Sequence, residues 1–154
     1  MGGRAEAAAA VSWTLDLRLE QGSAFVADLA LCQVRLQDDR RWPWLVLVPR
    51  LPGRIELEDL AAAERARLAE EAVASGAAVR ALGRTTGWPV KKLNLGALGN
   101  LVPQLHLHVV GRRADDPAWP GPVWGFGTSE PYSPVALAEA AAVVRAALTP
   151  TGGV

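Results

Sequence analysis

Trp44 to Val48 reads Trp-Leu-Val-Leu-Val, an unbroken apolar run closed by Pro49. Its length and branched side chains predict a strand buried on both faces. Upstream, Phe25 to Leu36 mixes Val26, Leu29, Leu31, Val34 and Leu36 with small and polar residues, and reads as a β segment. The charged turn Gln37-Asp38-Asp39-Arg40-Arg41 separates the two, which predicts an antiparallel pair. Leu15, Leu17 and Leu19 alternate loosely through Gln21, as a strand or a loop would. From Leu57 to Leu82 the period changes. Leu57, Leu68 and Val79 recur every eleven residues, and Leu60, Ala61, Ala72 and Leu82 join their face of a helix. Glu56, Glu58 and Asp59 at its start and Arg80 and Arg84 at its end suit the helix dipole. Gly83 is placed just past its last turn, and Gly76 weakens its interior. Lys91 to Leu95 predicts a short strand, Gly96 to Asn100 a turn, and Gln104 to Val110 a clear strand. Glycines 121, 125 and 127 exclude a regular element there. Ser133 as N-cap and Pro134 at the first turn open a last helix reaching about Leu148. The sum is an α+β domain: an antiparallel sheet with one long helix and a C-terminal helix. Its expected bounds are a tail at 1–11, the domain at 12–130, the C-terminal helix packed on it at 131–148, and a tail at 149–154.

Composition narrows the class. A length of 154 residues fits one domain, and 50% apolar with 21% charged residues is a globular composition. Sixteen basic and sixteen acidic residues cancel, which argues against a nucleic-acid or membrane-surface partner. No stretch approaches a membrane span, and Met1 to Val11 lacks the leucine-rich core of a signal peptide, so a cytoplasmic protein is expected. The single cysteine, Cys32, excludes an intramolecular disulfide and a multi-cysteine zinc site, and reads as a small buried residue.

The histidine supply is more telling. The chain has two histidines, His106 and His108, both in the strand predicted from Gln104. Positions two apart share a face, so Gln104, His106 and His108 line one face while Leu105, Leu107 and Val109 line the core. The polar set then meets solvent, a cleft or a partner. A zinc centre needs three protein ligands, yet there is no third histidine and no Asp or Glu between Glu71 and Asp115; no metal or other cofactor is expected. A neutral imidazole is a good nucleophile toward phosphorus. Asn94, Gly96, Gly99 and Asn100, just upstream, supply amides and backbone N–H groups able to cradle an anion. Lys91, Lys92, Arg112 and Arg113 flank the segment and read as solvated rim charges.

Asn94-Leu-Gly-Ala-Leu-Gly99-Asn100 followed by Gln104-Leu-His-Leu-His-Val-Val110 resembles the signature of the histidine triad (HIT) superfamily, an Asn/Gly-rich turn before His-φ-His-φ-His-φ-φ. Leu45-Val-Leu-Val-Pro49-Arg50, the long helix after it and Trp119-Pro-Gly-Pro-Val-Trp-Gly125 resemble further parts of that family, so that the match covers about residues 25–125. The resemblance implies an α+β fold, a homodimer and a nucleotide substrate. It implies a hydrolase or transferase of nucleoside phosphoramidates, dinucleoside polyphosphates or similar compounds. In that family the middle histidine attacks the α-phosphorus; here it is His106. His108 would hydrogen-bond phosphate oxygens or the leaving group, and Asn94, Gly99, Asn100 and Gln104 would complete the substrate site. The sequence departs from the family pattern in four places. Gln104 stands at the first histidine, and Leu101 stands where many members carry a hydroxyl. Trp44 stands where one branch carries a histidine, and Asp38 is only near the acidic ribose-binding position. These changes also admit an alternative, a nucleotide-binding or regulatory module with weak turnover. Among six tryptophans, Trp42, Trp44, Trp119 and Trp124 are candidates to wall a base pocket by stacking; Trp42 is the expected base contact, and core or interface burial is expected for most of them.

Overall fold

The computed structural model of the chain describes residues 11–149. The expected tails at 1–11 and 149–154 therefore lie almost wholly outside the described residues. Five strands form one antiparallel sheet: β1 (Ser23–Asp28), β2 (Cys32–Gln37), β3 (Trp44–Pro49), β4 (Lys92–Gly96) and β5 (Leu107–Arg112), in the spatial order β1-β2-β3-β5-β4. A short helix α1 (Leu17–Gln21) precedes the sheet, α2 (Ala62–Thr85) joins β3 to β4, and α3 (Pro134–Leu148) ends the fold. This is the predicted α+β architecture. No helix of the described residues is long and apolar enough to cross a membrane.

The boundaries differ from the sequence reading for local reasons. Leu15 to Gln21 is neither strand nor loop: the Asp16 carboxylate accepts the Arg18 N–H and caps a helical turn. The segment Phe25 to Leu36 is two strands, because Leu29 N–H donates to the Cys32 carbonyl and closes a tight turn between β1 and β2. The long helix starts at Ala62, not Leu57. Leu57 to Asp59 form a separate 3-10 turn, held by the Asp59 carboxylate on the N–H groups of Ile55 and Glu56, and Leu57 is exposed. Gly83 lies inside α2 and does not end it. A Cβ there would collide with the Trp88 carbonyl, so the glycine serves close approach of the returning chain. The last strand runs from Leu107 to Arg112, which leaves Gln104 to His106 on its approach.

Register sorts the two faces. Leu45 and Leu47 of β3 stand opposite Val109 and Leu107 of β5, and with Val34 and Leu36 they form the main core under Leu68, Val79 and Leu82 of α2 and Val144 of α3. A buried carboxylate braces this layer: Glu71 on α2 accepts the N–H groups of Leu31 and Cys32 at 2.8 Å each. Cys32 is fully buried and its thiol pKa is pushed up by burial and by Glu71. The opposite face carries Trp44, Val46 and Val48 of β3 and His108, Val110 and Arg112 of β5. It is apolar too. Trp42, Trp44, Val46, Val48 and Val110 make a second cluster with Ala118 and Val123, edged by Trp13, Leu15 and Leu19 before β1 and by Trp124. Two coverings, the N-terminal segment and the loop after β5, thus lie over the histidine face.

Candidate active site

Between those two coverings lies a cavity of about 470 Å³, with His106 and His108 in its floor. Trp44 and Trp124 wall it on one side and Arg18, Leu19 and Gly22 on another. Leu98 to Val102 close it from the turn after β4, with Gly99 at a φ of 60° that favours glycine. The N–H groups of Gly99, Asn100 and Leu101 have no acceptor among the described residues, so this loop offers free donors beside the cavity.

Both imidazoles are buried, with ring centroids 4.9 Å apart and an interplanar angle of 77°. The Nδ1 of His106 lies 2.7 Å from the Gln104 carbonyl oxygen. A carbonyl only accepts, so Nδ1 carries the proton and Nε2 keeps its lone pair. His108 has a different neighbour: the Trp44 indole N–H donates to its Nδ1 at 2.9 Å. Burial, and secondarily the charge that His106 would carry, hold the His108 pKa down at about 3 against an ordinary 6.5. The ring is therefore neutral at physiological pH. In the unfolded chain His108 takes up a proton below about 6.5, and in the folded chain only near 3. Stability is therefore lost as pH falls through that window. At neutral pH the native chain should be more stable than His108→Gln. That gap is expected to narrow by about 2 kcal/mol between pH 7.5 and pH 5, at 1.36 kcal/mol per unit. Urea midpoints of the two proteins at both pH values measure it; a constant gap would contradict the neutral buried ring.

Of the seven site positions read from the sequence, four line this cavity: His106, His108, Gly99 and Asn100. Three do not. The Gln104 amide is bound to the N-terminal segment, accepting the Asp16 N–H at 2.9 Å and donating to the Thr14 carbonyl at 2.8 Å. Only its backbone carbonyl reaches the site. The Asn94 carboxamide accepts from Arg112 at 2.8 Å and belongs to the anchor of the loop after β5. Trp42 is 1% exposed, packed edge-on to Trp44 and Phe126 with Arg41 over its ring, and is core rather than base contact. Arg112 is not a rim charge. It is 1% exposed and bonded to Asp116, Asn94 and the Gly121 carbonyl.

Trp44 and Trp124, two of the candidate pocket walls, do line the cavity, whereas Gln37 and Arg18 line it without having been expected there. Trp44 sits in a run apolar on both faces, where alternation carries no signal. Arg18 is fixed by Asp16 and the Leu101 carbonyl, a contact across 83 residues of sequence. No group of three His, Cys, Asp or Glu side chains converges among the described residues.

Two neighbouring imidazoles thus stand in the floor of one cavity, His106 with its Nδ1 on a backbone carbonyl and His108 with its Nδ1 accepting from an indole. The chain as a whole is similar to several solved structures. A histidine triad (HIT) protein from Sinorhizobium meliloti is 46% identical with a TM-score of 0.78, over 86% of this chain and 94% of that one. Histidine triad proteins from Bradyrhizobium japonicum and Marinobacter aquaeolei are 37% and 38% identical, each with a TM-score of 0.81 over 90% of this chain and 100% and 97% of theirs. No curated protein matches the chain. The pattern of the HIT domain matches residues 18–115, from α1 past the end of β5, and the chain belongs to the HIT domain family.

Proposed function

We propose that the chain is a hydrolase or transferase acting at the α-phosphate of nucleoside phosphoramidates, dinucleoside polyphosphates or similar compounds. The observation that carries this reading is the bond from His106 Nδ1 to the Gln104 carbonyl, which leaves Nε2 as a lone-pair nucleophile in the cavity. Nε2 attacks the α-phosphorus, the bond to the leaving group breaks, and a nucleotidyl-histidine forms on His106. Water or another acceptor then attacks the same phosphorus and frees the ring. His108 donates a hydrogen bond to a phosphate oxygen or the leaving group. The loop at Gly99 and Asn100 faces the phosphates. Gln104, in the place of a first histidine, contributes through its backbone.

The test is an incubation with an adenosine phosphoramidate, quenched without acid and read by intact mass and peptide mapping. A nucleotidyl mass on the peptide holding His106, together with released AMP, is expected. Binding of the nucleotide without adduct or release would replace this reading with that of a weakly active binding module. We also propose a homodimer. Strand β4 ends the sheet with an unpaired edge, and Leu95 on it is 50% exposed, so edge-to-edge pairing about a two-fold axis would cover it. The mass in solution should be that of two chains; a monomer at all concentrations would remove the dimer.

A further inference from the structure

We infer that Trp44 is a positioning residue, whose indole N–H, 2.9 Å from His108 Nδ1, fixes that ring as the neutral tautomer with its proton on Nε2. An indole nitrogen donates and does not accept. His108 Nδ1 must therefore present its lone pair to Trp44, and its ring proton must sit on Nε2. An imidazolium would set two hydrogens against each other across this contact. The Gln104 carbonyl imposes the opposite choice on His106, 4.9 Å away. One acceptor and one donor, neither of them ionisable, thus hold two neighbouring identical rings in opposite tautomers. The consequence is a division of labour: one Nε2 that attacks and one Nε2–H that donates.

Trp44 is itself held firmly. It is 6% exposed, stands opposite Val110 in the sheet, and packs edge-on against Trp42 at 6.5 Å and Trp124 at 6.1 Å. The groups facing the His108 ring are Trp44 from β3, Trp124 from the loop after β5, Gly96 paired to it on β4, and His106. Of these only His106 carries an ionisable side chain. Arg18 stands at the cavity rim, with its guanidinium bound to Asp16 and the Leu101 carbonyl. Among the described residues no carboxylate faces the ring to favour the cation, so the indole bond and burial act in the same direction.

This role rests on the reading of His108 as a donor, but the tautomer can be read without substrate. In uniformly ¹⁵N-labelled protein, imidazole ¹H–¹⁵N correlation spectra between pH 5 and 8 should show His108 with a pyridine-type Nδ1, a protonated Nε2 and no titration. In Trp44→Phe, which keeps an aromatic ring in the cluster, His108 should populate both tautomers and titrate at higher pH than in the native chain. Hydrolysis should lose about 10–100-fold in kcat with KM little changed, as for other groups that orient a ring through its second nitrogen. In a His108→Ala background, Trp44→Phe should cost nothing further, since the bond it removes is already gone. A proton on Nδ1 of His108 in the native protein, or a His108 that titrates between pH 5 and 8, overturns the inference even if Trp44→Phe fails to fold. So does a folded Trp44→Phe protein whose His108 spectrum is unchanged. A protein that hydrolyses no nucleotide but shows the assigned tautomer would sink the proposed activity and leave the Trp44 role standing.

Discussion

His106→Ala is expected to lower nucleotide hydrolysis by several orders of magnitude and to abolish the covalent adduct. No other described side chain in the cavity can replace its Nε2 as a nucleophile toward phosphorus: His108 is the second imidazole, and its free nitrogen carries a proton. The same substitution leaves the fold nearly intact, because the ring sits on the approach to β5 and not in the main core. His108→Ala keeps the nucleophile and removes one donor to developing charge, a loss of about 10²–10³ in rate. Gln104→Ala leaves the backbone carbonyl that orients His106. It deletes two hydrogen bonds to the N-terminal segment, so its main effect is on stability, about 1 kcal/mol per bond. The ordering is what single-turnover rates on highly purified proteins would check. Hydrolysis undiminished in His106→Ala would end the histidine mechanism. A Gln104→Ala protein as inactive as His106→Ala would make the N-terminal segment part of the catalytic apparatus.

The parts of this site that were legible in the sequence are those with local signals. His106 and His108 are paired by strand period, and the glycine turn announces itself by composition. The Ser133-Pro134 helix start was legible for the same reason, since a cap and its first turn are neighbours in sequence. What failed was long-range. Gln104 looks like a third polar site residue until Thr14 and Asp16, about ninety positions away, arrive to take both ends of its amide. Trp42 and Trp44 are indistinguishable as letters. Only the register with β5 sets Trp44 beside His108 and leaves Trp42 beyond the strand. Strand period left the histidine face to solvent, a cleft or a partner; it meets a cleft, and the coverings that make the cleft come from before β1 and after β5. Neither segment has a periodicity that predicts where it docks.

Asp116→Ala is expected to cost about 3–5 kcal/mol, the loss typical when one partner of a buried ion pair is removed. That is a large part of the roughly 5–15 kcal/mol available to a domain of this kind. The Arg112 and Asp116 side chains are 1% and 0% exposed, with Nε–Oδ2 at 2.7 Å and Nη2–Oδ1 at 3.1 Å, a two-pronged pair. Burial alone would disfavour the Asp116 carboxylate; the Arg112 hydrogen bonds and charge outweigh it and hold the pKa below the usual range. The pair therefore stabilises the fold at neutral pH, and its contribution is lost as pH falls through that lowered value. Without Asp116 the guanidinium keeps only two neutral acceptors, the Asn94 side chain and the Gly121 carbonyl, which do not balance a desolvated cation. The damage reaches the site through the chain. Arg112 ends β5 four residues after His108, and Gly121 lies three before Trp124, so this cation ties the strand that carries His108 to the loop that walls the cavity. Urea unfolding should therefore show the large loss in stability, and nucleotide affinity should weaken at concentrations of denaturant where the native protein is unaffected. Arg112→Met combined with Asp116→Leu should recover much of the stability by replacing two charges with apolar volume, without recovering the loop's attachment to Asn94 and Gly121. A loss below about 1 kcal/mol in Asp116→Ala would mean that the pair behaves as a solvated one.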